Sequence, residues 1–131
     1  MKLFIGNKAY SSWSLRGWLA ARHSGLPFEE VTVPLYDEDW NRRREGDEFA
    51  PSGGKVPILW DGSDIVVWDS LAIIDYLNEK TGGARGYWPA DMAARAMARS
   101  MAAEMHASFS ALRRHHSMNI RRIYPAAELL P

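Results

Sequence analysis

The stretch Ser52-Gly53-Gly54-Lys55-Val56-Pro57-Ile58-Leu59-Trp60-Asp61-Gly62-Ser63-Asp64-Ile65-Val66-Val67-Trp68-Asp69-Ser70 carries three structural signals in succession. Two runs rich in β-branched and aromatic residues, 56–60 and 65–68, flank Asp61-Gly62, a pair suited to a tight hairpin turn, so they read as an antiparallel hairpin. Asp69-Ser70 then precedes Leu71, Ile73, Ile74 and Leu77, which places side-chain oxygens where a helix begins and apolar residues at helical spacing behind them. Pro57 opens the first strand of the hairpin after a Gly-rich loop. It is a candidate for a cis bond, with a trans edge-strand proline as the alternative. Ser52-Gly53-Gly54-Lys55 is no phosphate loop, because that motif needs a helix after its lysine and here a strand follows.

Upstream, residues 2–6 form a short apolar run ended by Gly6-Asn7, which suits a buried strand. Leu15, Trp18 and Leu19 recur at helical spacing over residues 14–23, and Gly25 stands at the expected stop. Val31 and Val33 alternate with polar residues between Pro27 and Pro34, giving a second strand over 28–35. Residues 37–49 are highly charged, with only Trp40 and Phe49 as large apolar side chains. They predict a short, solvated, poorly packed and mobile helix. The order β-α-β-α-β-β-α matches the α/β layout called thioredoxin-like, in which one mixed sheet is sandwiched by helices.

Residues 82–89 are a Gly-rich connector, after which Ala and Met dominate. Met97, Met101, Met105, Phe109 and Leu112 share one arc of a helical wheel and Arg95, Arg99, His106 and Arg113 lie opposite, so residues 90–118 read as one long amphipathic helix whose apolar stripe packs in a core. Arg121-Arg122-Ile123-Tyr124-Pro125 ends it. The chain divides into a thioredoxin-like domain, 1–82, and a linker with an incomplete all-helical domain, 83–131.

With 131 residues, 47% of them hydrophobic and 24% charged, the composition is that of an ordinary globular protein, too short for two complete large domains. Sixteen basic residues balance sixteen acidic ones, so no net field recruits nucleic acid or anionic lipid. With no cysteine, disulfides, thiolate metal ligands and thiol nucleophiles of the protein's own are excluded, and any sulfur chemistry arrives with a ligand. The N-terminal run lacks signal-peptide features and no apolar run is long enough to span a membrane, so a cytoplasmic protein is expected.

Two segments can carry chemistry. Tyr10-Ser11-Ser12-Trp13-Ser14-Leu15-Arg16 lies between the first strand and the first helix, where unpaired amides and the helix dipole favour an anion. A serine hydroxyl there can donate to a thiolate; the same serines equally serve as plain N-caps. Asp69-Ser70, at the start of another helix, suits an ammonium on Asp69 and a carboxylate on Ser70, or again only a cap. No Gly-x-Ser-x-Gly elbow or triad order supports a serine hydrolase. His115-His116 point to different helix faces and make no metal pair, and Arg42-Arg43-Arg44 reads as a solvated face among acidic neighbours.

The serine start of the first helix, the Val-Pro before the third strand and the acid-Ser opening the third helix together resemble a glutathione transferase. The match covers residues 2–82 and continues into the first helix of the all-helical domain. Ser11-Ser12-Trp13-Ser14 resembles the Ser-Ser-Cys-Ser pattern of the zeta class, with Trp13 in place of Cys, and bacterial transferase-like proteins carry a similar run followed by Ala-Glu-Met-His, here residues 103–106. The resemblance implies glutathione as cosubstrate. Ser11, or Ser12 if the motif slides by one, would hold the sulfur. Lys55 and Val56 would contact the peptide backbone beside a cis Pro57, and Asp69 and Ser70 would hold the γ-glutamyl end. No metal is implied. A small hydrophobic electrophile would lie against Met101, Met105 and Phe109, with Glu104 and Ser108 nearby. A homodimer that detoxifies electrophiles is the expected assembly. The alternatives are a non-enzymatic interaction domain of the same fold and a glutathione-dependent isomerase of the maleylacetoacetate type.

Overall fold

The computed structural model describes residues 1–123. Strand β1 (Lys2–Ile5) leads to helix α1 (Ser12–Ser24), β2 (Glu29–Thr32) and α2 (Glu38–Arg43), followed by a 3-10 turn at Ala50–Ser52. The hairpin β3 (Ile58–Asp61) and β4 (Ile65–Val67) precedes α3 (Ser70–Lys80), and α4 (Met92–Ala107) and α5 (Ser110–His115) follow. The four-stranded sheet has the order β2-β1-β3-β4. β1 runs parallel to β2 and antiparallel to β3, and β3 pairs antiparallel with β4.

Alternation along the central strands explains the two-sided core, because successive side chains point to opposite faces. Leu3, Ile5 and Leu59 join Ala20 and Ala21 of α1 and Ile73 and Leu77 of α3 on one face. Phe4 and Ile58 join Val33, Trp40 and Phe49 on the other. Each large side chain so buried contributes roughly 1.5–3 kcal/mol. This corrects the reading of residues 37–49: Trp40 and Phe49 are anchors in the second core, with Phe49 edge-on to both Phe4 and Trp40. The charged residues between them face solvent and hide that role from composition alone.

Helix α1 also differs from its reading. Its buried face is Ser14, Gly17, Ala20, Ala21 and Ser24, while Leu19 is 52% exposed. Small residues win because the helix lies close to its neighbours: a Cβ on Gly17 would stand 2.9 Å from the Pro57 ring. Gly25 ends the helix in the left-handed conformation, φ 71°, its N–H donating to the Arg22 carbonyl. The Val56–Pro57 bond is cis, as the Gly-rich approach to the strand suggested.

The long helix is broken. Ser108 is extended and Phe109 sits at φ 62°, so α4 ends at Ala107 and α5 begins at Ser110. Arg113 folds back across the break and donates to the carbonyls of Met105 and Ser108, satisfying the end of α4. The stripe that was expected to pack in a core is exposed, with Met97 and Met101 each at 62%. Among the described residues, no helix is long and apolar enough to cross a membrane.

Candidate active site

The end of β1 and the start of α1 build one wall of the site. Ser11 caps α1, its Oγ accepting from the Ser14 N–H at 3.3 Å and lying 2.9 Å from Ser14 Oγ. Ser14 is fully buried and accepts from the Gly6 N–H at 2.8 Å, which ties the helix start to the strand end. The loop before β3 is closed by Ser52, whose Oγ donates to the Lys55 carbonyl and accepts the Lys55 N–H, at 2.7 and 3.0 Å. Val56 and the cis Pro57 follow. Asp69 caps α3 through Oδ1, which accepts from the Leu71 N–H at 3.1 Å.

These three segments meet at a cavity of about 570 Å³. Ser11 and Trp13 line it from α1, Lys55, Val56 and Pro57 from the loop, and Trp68 and Asp69 from the approach to α3. Leu35, Tyr36, Trp40 and Arg44 form the far side. Ser12, the first residue of α1, is not part of this lining, so of the two candidate serines Ser11 faces the cavity. Ser70 is buried behind Asp69, its Oγ without a hydrogen-bond partner among the described residues. A second groove is lined by Asn41, Arg44, Glu45, Ala50, Gly53 and Gly54 and shares none of Ser11, Val56 and Asp69.

His106 was missed as a site residue. Its Nε2 lies 2.8 Å from Asp69 Oδ2 and its ring packs edge-on against Trp13 at 5.1 Å between centroids. It lines the cavity from α4, whereas Met101, Met105, Phe109, Glu104 and Ser108 are not in this lining. A signal was present in the wheel: His106 stands opposite the Met stripe, and that opposite face turns toward the first domain. Trp13 is also the platform for two cations, Arg16 at 4.1 Å and Arg113 at 4.7 Å from its centroid. Burial pushes Arg16 below its ordinary pKa, repulsion from Arg113 adds to this, and attraction to Asp69 opposes it. Among the described residues, no group of three or more acidic or histidine side chains could hold a metal ion.

Fold and site together define a thioredoxin-like domain with a cleft at the start of two helices, polar at Ser11, Lys55 and Asp69 and apolar around them. A family model described as "Glutathione S-transferase, N-terminal domain" matches residues 10–80, and the chain belongs to that family. It is 44% identical over 63 residues to a dichloromethane dehalogenase of Methylorubrum extorquens, covering 48% of this chain and 21% of that protein. A mouse glutathione S-transferase theta-2 is 35% identical over 81 residues, covering 60% of this chain and 31% of the relative. Among solved structures, a zeta-class bacterial maleyl pyruvate isomerase superposes with a TM-score of 0.67 at 29% identity, covering 86% of this chain and 50% of its own. A sphingomonad glutathione S-transferase complexed with glutathione gives 0.64 at 29%, covering 86% and 54%. The chain thus spans about half the length of the solved relatives, and a smaller share of the curated ones is matched.

Proposed function

We propose that the cavity binds glutathione and holds its thiol as a thiolate for attack on a small hydrophobic electrophile. The observation that carries this reading is the meeting of Ser11, Val56 beside a cis Pro57, and Asp69, from three separate segments, around one cavity. Residues 1–82 form the binding unit in this reading, and 83–131 begin the helical part.

Glutathione is an extended peptide, and Val56 offers backbone N–H and C=O to its cysteinyl unit as an added strand would. Lys55 and Arg44 supply positive charge for a carboxylate, while Asp69 takes the ammonium and Ser70 the carboxylate of the γ-glutamyl end. The thiol, whose pKa when free is near 8.5, sits by Ser11 and the free amides of α1. Ser11 donates to the sulfur once its proton turns away from Ser14, and the Ser14 hydroxyl then donates to Ser11 in turn. Such a relay strengthens the bond to an anion. Lowering the thiol by roughly one to two pKa units corresponds to about 1.4–3 kcal/mol of preferential thiolate binding. The thiol proton leaves to solvent. Sulfur then forms a bond to the electrophilic carbon as the leaving group departs with its electron pair. Leu35, Tyr36, Trp40 and Trp68 give that electrophile an apolar wall.

The exposed Met stripe supports a homodimer, since a second copy would cover it. Retention on immobilised glutathione, released by free glutathione and lost in Asp69→Ala, tests the binding step. A chain that passes through unretained would contradict it.

A further inference from the structure

Both carboxylate oxygens of Asp69 are engaged, by groups of different kinds. Oδ1 is held by the Leu71 amide as part of the α3 cap, a contact local to the helix. Oδ2 is held by His106 Nε2 at 2.8 Å, a side chain delivered by another helix. Two buried polar atoms here have no hydrogen-bond partner among the described residues: Ser70 Oγ, next to Asp69 in the chain, and Nδ1 of His106 itself. Buried polar groups are almost always paired, so the Ser70 hydroxyl beside Asp69 is a group that a ligand can use. An α-amino acid terminus would use both side chains, its ammonium meeting Asp69 and its carboxylate Ser70. His106 Nε2 holds the Oδ2 that such an ammonium would contact.

We propose that His106 is a specificity-determining residue that competes with the ligand's ammonium for Asp69, holding Oδ2 in the free protein and yielding it on binding. The proposal rests on the glutathione reading above. The competition is weak enough to be reversible: the His106 side chain is 23% exposed and that of Asp69 49%, and partly solvated pairs are readily exchanged. It is also pH-dependent, because an imidazole charges within the range where a carboxylate stays ionised. The charged groups around His106 are Asp69 at the start of α3, in direct contact, and Arg16 of α1 and Arg113 of α5, which stack on the Trp13 ring that His106 also touches. Below the imidazole range the charged pair holds Asp69 and ligand binds more weakly. Above it, neutral His106 gives way.

Calorimetric binding of S-methylglutathione, whose blocked thiol cannot titrate, tests this between pH 5.5 and 8. The wild type is expected to gain roughly two- to five-fold in affinity across the range, the span a partly exposed ion pair permits. His106→Gln, uncharged and still able to hydrogen-bond, should be flat and bind more tightly than wild type at pH 5.5. The analogue lacking the α-amino group should show no such gain in either protein. Equal pH profiles in wild type and His106→Gln would overturn the proposal, as would weaker binding by the variant throughout, which would make His106 a ligand contact instead of a competitor. If His106→Gln fails to fold, the wild-type His106 imidazole resonance decides. Its titration midpoint should fall when ligand saturates the site, and an unchanged midpoint refutes competition. Absence of S-methylglutathione binding in every protein would remove the glutathione reading and this proposal together, whereas binding with an unaltered pH profile removes the proposal alone.

Discussion

Ser11 holds two roles that compete for one hydroxyl. Its oxygen caps α1 through the Ser14 amide, and its proton is directed at Ser14 Oγ until an anion draws it away. Ser11→Ala should therefore lower turnover by roughly ten- to a hundred-fold, following the lost one to two pKa units, while glutathione affinity changes far less. Equal losses in steady-state kcat and in calorimetric affinity would contradict thiolate-selective bonding. Ser14→Ala removes the relay and the partner of the Gly6 amide, so it should lower both stability and turnover. Asp61 supplies a pH-dependent prediction away from the cavity. Hydrogen bonds from Lys80 and Tyr76 hold its carboxyl below the usual range. The stabilisation is present above the ordinary carboxylate pKa and lost as pH falls through the lowered folded value. Asp61→Asn should lower Tm by a few degrees near pH 7, and thermal melts of the two proteins should converge in strong acid. At this scale the sequence was legible where signals are local: Ser11, Val56, Pro57 and Asp69 all stand at a strand end, a turn or a cap. His106 and Trp13 were not, because each acquires its role from a partner far along the chain.

Helix α1 shows why hydrophobic spacing located an element without giving its packing. Its large residues are half-buried or exposed, and its inner face is small because α1 must approach Pro57. Gly17→Ala would ordinarily gain about 1 kcal/mol in a helix interior, yet the added methyl meets the Pro57 ring at 2.9 Å. Overpacking of that kind costs about 1–3 kcal/mol, so the substitution should lower stability in urea unfolding and weaken glutathione binding as Val56 shifts. A gain in stability without loss of binding would show that α1 has room to move. The break between α4 and α5 was hidden for another reason: neither Gly nor Pro marks it, and the apolar period runs on through Ser108-Phe109.

Across the whole molecule, both faces of the sheet are covered while the outer face of α4 is not. Met92, Met97 and Met101 are mostly exposed, and Met105, Phe109 and Leu112 are about half exposed, which makes a larger apolar surface than scattered single residues would. Light scattering over a concentration series should show self-association that is abolished by Met97→Glu with Met101→Glu. A monomer at every concentration would leave the stripe to a different cover. The proposed chemistry comes down to glutathione bound beside Ser11 with its thiol ionised. The ultraviolet absorbance of the bound thiolate, titrated against pH, tests it most directly. The expected thiol pKa lies roughly one to two units below its free value near 8.5, returning toward that value in Ser11→Ala. A bound thiol that titrates at its free value in the wild type, or identically in both proteins, would contradict it.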